Sequence, residues 1–188
     1  MESSVGISMD NRAIVTTKAW LEEVIVGLNF CPFAKKELVN DTIHYHLCSD
    51  TKLSTVIDDF VEQCHYLEKN PEIETSLLIY DKGFLQFERY LDLLDAANDK
   101  LYQLGYEGDF QLASFHPDYC FEGENYEDAA NYTNRSPWPT LHLIRESSIE
   151  KVLKTYKSPE DIPVNNIELA RVKGNDYFAN LLKNINQN

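Results

Sequence analysis

The chain has 188 residues, of which 43% are hydrophobic, and its formal net charge is -14. That hydrophobic content is enough to bury a core, which argues against a disordered protein. The acidic balance repels phosphate groups, so general binding to nucleic acid or to anionic membranes is disfavoured.

Apolar periodicity predicts the elements of the first half of the chain. Residues 1–10 show no pattern and are expected to be frayed, and a helical pattern starts at Asn11. "CPFAKKEL" predicts a loop that enters a short helix, because proline is favoured in a first helical turn. "TIHYHLC" alternates, which predicts a half-exposed strand near a sheet edge. An apolar stripe over 53–67 predicts an amphipathic helix.

The second half begins with "TSLLIYD", a continuous apolar run that predicts a strand covered on both faces. A helix over 87–101 follows, and "DFQLASF" predicts the third strand. "PTLHLI" predicts a fourth strand, after a long segment that has neither helical nor strand period.

The C-terminal quarter is predicted to be helical. A helix over 149–156 is followed by a linker over 157–166, which holds two prolines. A final helix is predicted over about 167–185, and Gly174 is placed to split it.

This order of elements predicts the fold class. Two successive helical crossovers imply three parallel strands, since parallel neighbours need a crossover connection. The direction of the fourth strand stays open. We expect a single α/β domain over 11–188, with a small mixed, mainly parallel four-stranded sheet packed by helices.

The N-terminal stretch and the cysteines indicate a cytoplasmic protein. "MESSVGISMDNRAIVTTKAW" has no basic region followed by an apolar run, so it does not predict a signal peptide. No window is long and apolar enough to span a bilayer. The four cysteines are widely spaced without a CxxC pair, which predicts reduced thiols.

Two blocks of sequence carry a family resemblance: "GLNFCPF", and "QLASFHPDYCF" together with "NYTNRSPWPTLHLIRE". They resemble a bacterial family known as domain of unknown function 1415, and the likeness runs from about Trp20 to Asn166. The resemblance implies no particular activity. The matching positions are Asn29, Cys31, Pro32, Phe33, His116, Pro117, Tyr119, Asn134, Arg135, Ser136, Pro137, Pro139, His142, Arg145 and Glu146.

Cys31 is a candidate nucleophile. It precedes a predicted helix, and a helix N-terminus lowers a thiol pKa. "CPF" resembles the glutaredoxin-type active site, but Ala34 stands where the second cysteine would be and a helix precedes the motif. A dithiol oxidoreductase is therefore disfavoured, and the alternative role of Cys31 is that of a buried structural thiol.

His116 and His142 are candidate acid/base residues, because imidazole titrates near neutral pH. His116 directly follows the third strand, where ligands of parallel sheets usually bind. Tyr119 adds a hydroxyl nearby. His142 lies mid-strand, on the face opposite Leu141 and Leu143, where the alternative is a hydrogen-bonded core residue.

"TNRSP" is the candidate anion site. Arg135 offers a planar fork of donors, Asn134 and Ser136 add hydrogen bonds, and Arg145 supplies a second cation. The alternative is that both arginines pair with carboxylates of the protein itself. We further expect Arg135 to approach His116 and to share a cleft with it.

No metal or cofactor is expected. His44 and His46 share a strand face, but the sequence names no third ligand, so a solvated strand face is the favoured interpretation. GxGxxG, GxxxxGK[ST], HExxH and GxSxG are all absent.

We therefore favour a small enzyme that acts on an anionic small molecule. His116 and His142 would act as acid or base, Cys31 as nucleophile, and Arg135 and Arg145 as anion ligands. The alternative is a non-catalytic binding or interaction module that uses the loop 116–139, and a metal-dependent protein is a third hypothesis. The sequence makes no prediction of oligomeric state.

Overall fold

The computed structural model describes residues 9–154 and 156–187 and shows one four-stranded sheet between two layers of helices. The strands are β1 (Ile43–Cys48), β2 (Thr75–Tyr80), β3 (Phe110–Phe115) and β4 (Thr140–Arg145). The helices are α1 (Met9–Trp20), α2 (Ala34–Val39), α3 (Leu53–Lys69), α4 (Phe87–Gln103), α5 (Glu146–Leu153), α6 (Asp161–Lys173) and α7 (Asn175–Gln187). A π-helical segment (Leu21–Val26) extends α1, and a 3-10 helix (Ala129–Thr133) precedes β4.

The strand order is β1-β2-β4-β3. β1 and β2 pair in parallel through the α3 crossover, while β4 pairs antiparallel with both of its neighbours. The first three strands thus run in one direction, as the crossovers predicted. β4 lies between β2 and β3, so the described sheet holds one parallel pair and two antiparallel pairs. The α/β class with a mixed sheet is confirmed, but the pairing is not mainly parallel as expected, because β4 inserts between β2 and β3.

One face of the sheet is closely packed against α3 and α4. Because side chains alternate along a strand, each strand sends every second residue into this layer. The predicted apolar stripe of α3 faces the sheet here, and Tyr80 of β2 and Tyr90 of α4 are fully buried. The principal side chains are Val56, Phe60, Cys64, Leu67, Leu78, Tyr80, Tyr90, Leu93, Ala97, Leu141 and Leu143.

The other face packs against α1 with its π-helical extension, and against α6 and α7. Its buried cluster includes Trp20, Leu21, Val24, Ile25, Phe30, Ile43, Leu77, Ala170, Phe178 and Ile185. This second layer leaves space over the sheet, and that space is described below.

The chain ends differ from the predicted boundaries. Residues 1–8, most of the segment expected to be frayed, lie outside the described residues, and α1 begins at Met9. α6 begins at Asp161, inside the predicted linker, because Pro163 lies in the first helical turn, where a missing N–H leaves no bond unmade. Gly174, at φ 80, separates α6 from α7, as its position predicted.

Candidate functional site

A cavity of about 610 Å³ lies between the sheet and the layer formed by α1, α2, α5 and α6. Its floor is the sheet face opposite α3 and α4. Most of its lining is aliphatic or aromatic. The lining side chains from the sheet are Ile43, Thr75, Leu77, Ala113, Phe115, His142 and Ile144, and those from the walls include Trp20, Leu21, Ile25, Phe30, Cys31, Phe33, Phe121, Ile149, Pro163 and Ile167.

His142 is the ionisable side chain of the cavity floor. Its Nε2 lies 2.7 Å from the Thr75 hydroxyl oxygen, and that hydroxyl donates its own proton to the Leu143 carbonyl at 2.8 Å. The carbonyl can only accept, so both contacts are hydrogen bonds when the hydroxyl donates to the carbonyl and Nε2 donates to the hydroxyl. This pattern assigns the ring to the Nε2–H tautomer.

The second ring nitrogen of His142, Nδ1, has no hydrogen-bond partner among the described residues. In this tautomer Nδ1 is an acceptor with a free lone pair. Burial lowers the pKa of His142 to about 4, so the ring is neutral at pH 7. The cavity therefore has an apolar body and one fixed acceptor on its floor.

Cys31 lines the same cavity from the turn before α2. We expected a helix N-terminus to lower its pKa, but burial raises the pKa of the thiol and outweighs the N–H groups of Phe33 and Ala34. The reason is that the thiolate loses more hydration than two backbone donors replace. Cys31 is thus a neutral thiol in the cavity wall.

The polar side chains at the edge of the cavity are largely engaged with one another. Glu37 accepts from Thr42 at 2.6 Å and lies 3.3 Å from the Lys36 ammonium. Ser148 donates to Glu74 at 2.5 Å. Lys36 and Lys151 are exposed, so their charges lie at the solvent side of the opening.

The π-helical segment forms one wall of the cavity. Leu21 and Ile25 both line it, and both are buried. A π-turn rotates side chains away from the direction that continued α-helix would give them, and such turns occur often at functional sites. The sequence analysis predicted helix here but gave no sign of the altered winding.

His116 lies outside the cavity and is fully buried. Its Nε2 bonds to the Phe84 carbonyl at 3.0 Å, and its Nδ1 accepts from the Asp118 N–H at 3.0 Å. Both ring nitrogens are therefore occupied by backbone, and burial lowers the pKa of the imidazole. This geometry gives no support to the acid/base role predicted for His116, since neither ring nitrogen is free for a substrate in this structure.

Arg135 is 6% exposed and also lies outside the cavity. Its guanidinium donates to the carbonyls of Tyr119 and Tyr126 at 3.1 and 2.8 Å. The same group lies 4.5 Å from the ring centre of Tyr126 and 4.7 Å from that of Tyr132. The predicted anion ligand is thus a clamp that closes the loop 116–139 on itself.

The remaining residues of the predicted anion site also serve the loop. Asn134 donates to the Ser114 carbonyl at 3.0 Å, and Ser136 donates to the Trp138 carbonyl at 2.6 Å. Tyr119 packs its ring between Phe87 and Phe121. Asn134 lines the cavity, whereas Tyr119 and Ser136 do not.

The two ends of the loop 116–139 meet, as expected for neighbouring strands. The His116 N–H donates to the Asn134 carbonyl at 3.2 Å, and the Ser136 N–H donates to the His116 carbonyl at 3.4 Å. Arg135 therefore lies near His116 in the chain fold, but neither side chain lines the cavity of about 610 Å³.

Arg145 is a second clamp. Its guanidinium donates to the carbonyls of Ile73 and Asn70 at 2.9 and 3.0 Å and also to that of Leu67. The Leu67 and Asn70 carbonyls lie at the C-terminal end of α3, and Ile73 follows in the loop before β2. A hollow of about 260 Å³ adjoins Arg145, whose position in β4 faces the opposite side of the sheet from His142.

His44 and His46 contact α3. His46 lies 2.9 Å from the Asp59 carboxylate, and the His44 ring packs on Tyr66. Among residues 9–154 and 156–187, no group of three or more His, Cys, Asp or Glu side chains is arranged to hold a metal ion. In the same part of the chain, no helix combines the length and hydropathy needed to cross a membrane.

Sequence reasoning placed Cys31, Asn134 and His142 at what proves to be one cavity, and it missed most of the lining. Leu77, Phe115 and Ile144 were predicted as strand residues and carried the ordinary signal of a core. Residue type does not distinguish a wall around empty space from a packed interior. The small side chains of Ala113 and Thr75 at inward strand positions are the one signal available.

The family model described as "Protein of unknown function (DUF1415)" matches residues 12–180, which is most of the chain. Comparison with curated proteins and with solved structures found no match. The resemblance drawn from the two sequence blocks is thereby confirmed.

Proposed function

The chain belongs to the DUF1415 family, and from its structure we propose that it binds a mostly apolar small molecule in the cavity above the sheet. The observation that carries the proposal is the cavity itself, with a volume of about 610 Å³ and a lining of aliphatic and aromatic side chains.

The size of the cavity supports an occupant. The cavity opens to solvent beside Lys36 and Lys151, and its volume of about 610 Å³ is large enough for a small organic molecule. Small-molecule sites are typically apolar clefts of this size with few polar groups.

The proposal replaces the anionic substrate of the sequence-based hypothesis. Arg135 and Arg145 donate to backbone carbonyls, and His116 has no free ring nitrogen. The cations that line the cavity, Lys36 and Lys151, are exposed at its opening. A ligand that fills the interior is therefore expected to be neutral over most of its surface.

The loop 116–139 gives less support to an interaction module. Its central Asn131 is fully buried and bonds to the carbonyls of Asn125 and Tyr126. Arg171 of α6 holds the loop from outside through Asp128 at 2.9 Å. These side chains are used within the chain rather than offered to a partner.

Isothermal calorimetry with octanol tests the proposal. Ala113→Phe places a ring on the cavity floor, and Ala34→Leu narrows the opposite wall. Gln103→Phe adds the same ring at an exposed position at the end of α4. We expect wild type and Gln103→Phe to bind octanol alike, and the two cavity variants to bind it at least tenfold more weakly.

Each variant is first shown to unfold cooperatively, so that loss of binding is not loss of the fold. Equal affinity in all four proteins would place octanol elsewhere and would reject the cavity as the site. Absence of binding to wild type would reject a small apolar ligand.

A further inference from the structure

We propose that the ligand of this cavity carries a neutral hydrogen-bond donor, a hydroxyl or an N–H group, that is received by Nδ1 of His142. The inference rests on the proposed function and specifies the chemical class of the ligand. It follows from the position of two protons and from the hydrogen bonds that the other polar side chains of the cavity already make.

The first proton is that of Thr75. Its hydroxyl donates to the Leu143 carbonyl, so the hydroxyl oxygen offers only lone pairs to His142 at 2.7 Å. The second proton therefore lies on Nε2 of His142, and Nδ1 is left as an acceptor. Thr75 thus acts as a positioning residue that selects the tautomer.

The other polar side chains around the cavity are already bonded within the protein. Thr133 donates to the Ala130 carbonyl, Asn134 to that of Ser114, and Asn166 to that of Phe30. Nδ1 of His142 has no such partner among the described residues. Among the sheet side chains that form the floor, Nδ1 of His142 is the acceptor left without a protein donor, so a donor that reaches the floor meets an open lone pair there.

The neighbour of His142 leaves room for that contact. Ala113 lies opposite His142 in the β3–β4 register and also lines the cavity. A cross-strand partner with only a methyl side chain covers little of the imidazole.

A carboxylate is a poor match for this position. Its oxygens are acceptors, and they would face the lone pair of Nδ1 unless the imidazole took up a proton. Burial opposes that proton, since the charged ring would lose hydration. The exposed Lys36 and Lys151 would hold an acid at the opening instead, away from His142.

The test compares octanol with heptyl methyl ether, an isomer that lacks the donor, and with octanoate. For wild type we expect octanol to bind about five- to tenfold more tightly than the ether, a ratio that corresponds to the net contribution of one hydrogen bond. Octanoate should bind more weakly than octanol. Equal binding of octanol and ether, or tighter binding of octanoate, would overturn the inference.

Variants then assign the difference to His142. His142→Leu removes the acceptor, and the preference for octanol over the ether should fall to about one. Thr75→Val keeps the imidazole but removes the hydroxyl that accepts from Nε2, so either ring nitrogen can carry the proton and the preference for octanol over the ether should shrink. Thr75→Ser keeps that hydroxyl and should retain the preference. A preference that survives in His142→Leu would contradict the assignment.

The two proposals fail in different ways. If wild type binds none of the three probes, the proposed function is wrong and this inference falls with it. If wild type binds the alcohol and the ether equally and Ala113→Phe abolishes both, the cavity is a binding site and only the donor requirement is wrong.

Discussion

Arg135 shows how a buried cation is stabilised without a carboxylate. Two carbonyls and two tyrosine rings surround its guanidinium, and no carboxylate among the described residues forms an ion pair with it. The planar fork of donors matches carbonyls that lie in different directions, and its faces stack on aromatic rings. The side chain holds together a segment that has little secondary structure of its own.

Replacement of Arg135 by Lys should therefore lower the free energy of unfolding by about 2 to 4 kcal/mol, because one ammonium cannot serve both carbonyls and both rings. Urea unfolding measures the change. Arg89→Lys is the control, since exposed Arg89 bonds to one carbonyl and lies over one ring, and this change should alter stability by less than about 0.5 kcal/mol. Equal effects at the two positions would show that Arg135 is not a clamp.

The lowered pKa of His142 predicts that the stability of the protein depends on pH. Its pKa is about 4 in the folded protein and 6.5 for the ordinary side chain, so the unfolded state binds more protons between these values. The free energy of unfolding should consequently fall as the pH falls from about 7 towards 4, and the contribution should level off below pH 4.

His142→Leu removes the contribution of His142 to this pH dependence. The contribution of His116 remains, because burial also lowers the pKa of that imidazole. Between pH 7 and pH 5 the variant should lose less stability than wild type, by on the order of 1 to 2 kcal/mol. Urea unfolding at a series of pH values gives both curves. Parallel curves would mean that the folded imidazole titrates normally and is not a buried neutral acceptor.

At the scale of elements, the π-helical segment sets the shape of the cavity wall. Gly27 ends it with a helical φ of -62, so a side chain there meets no backbone penalty. A Cβ at this position would, however, meet the Glu23 carbonyl oxygen closer than real Cβ contacts occur. The glycine is needed for space and not for conformation.

Gly27→Ala should therefore destabilise the protein by about 1 to 3 kcal/mol. In an ordinary helix the same change stabilises by up to about 1 kcal/mol, so the sign identifies the π-winding. Urea unfolding is the measurement, with Asn98→Ala in α4 as a neutral helical control. Unchanged or increased stability of Gly27→Ala would indicate that the segment winds as regular α-helix.

The elements differ in how far the sequence could specify them. The stripe of α3 and the apolar run of β2 have a clear period because each packs on one well-defined neighbour. The π-helical segment has no period of its own, since six residues cannot distinguish it from α-helix. α6 was partly assigned to a linker, because a proline in a first helical turn resembles a proline that breaks a helix.

The candidate site was less predictable than the fold. His142 was placed on the correct strand face by its alternation with Leu141 and Leu143. The roles of Arg135, Arg145 and His116 could not be derived, because their partners are backbone carbonyls and N–H groups, and every residue type carries these. Only the folded path of the chain determines which of those groups a side chain meets.

At the scale of the whole molecule, the two faces of the sheet differ in packing. The face under α3 and α4 is closely packed, while the face under α1 and α6 encloses the cavity. β4 contributes to both, since Leu141 and Leu143 face the packed layer and His142 faces the cavity. The closely packed layer thus supports β4, the strand that carries His142 and its acceptor nitrogen Nδ1.

The central claim is that an apolar molecule with a donor group occupies this cavity. Its most direct test is the set of nuclear Overhauser effects between bound octanol and the methyl groups of the protein. We predict contacts from the octanol chain to Leu21, Ile25, Leu77 and Ile144, all of which line the cavity. Contacts confined to exposed methyl groups such as those of Val39 and Val172, or none at saturating octanol, would contradict the account.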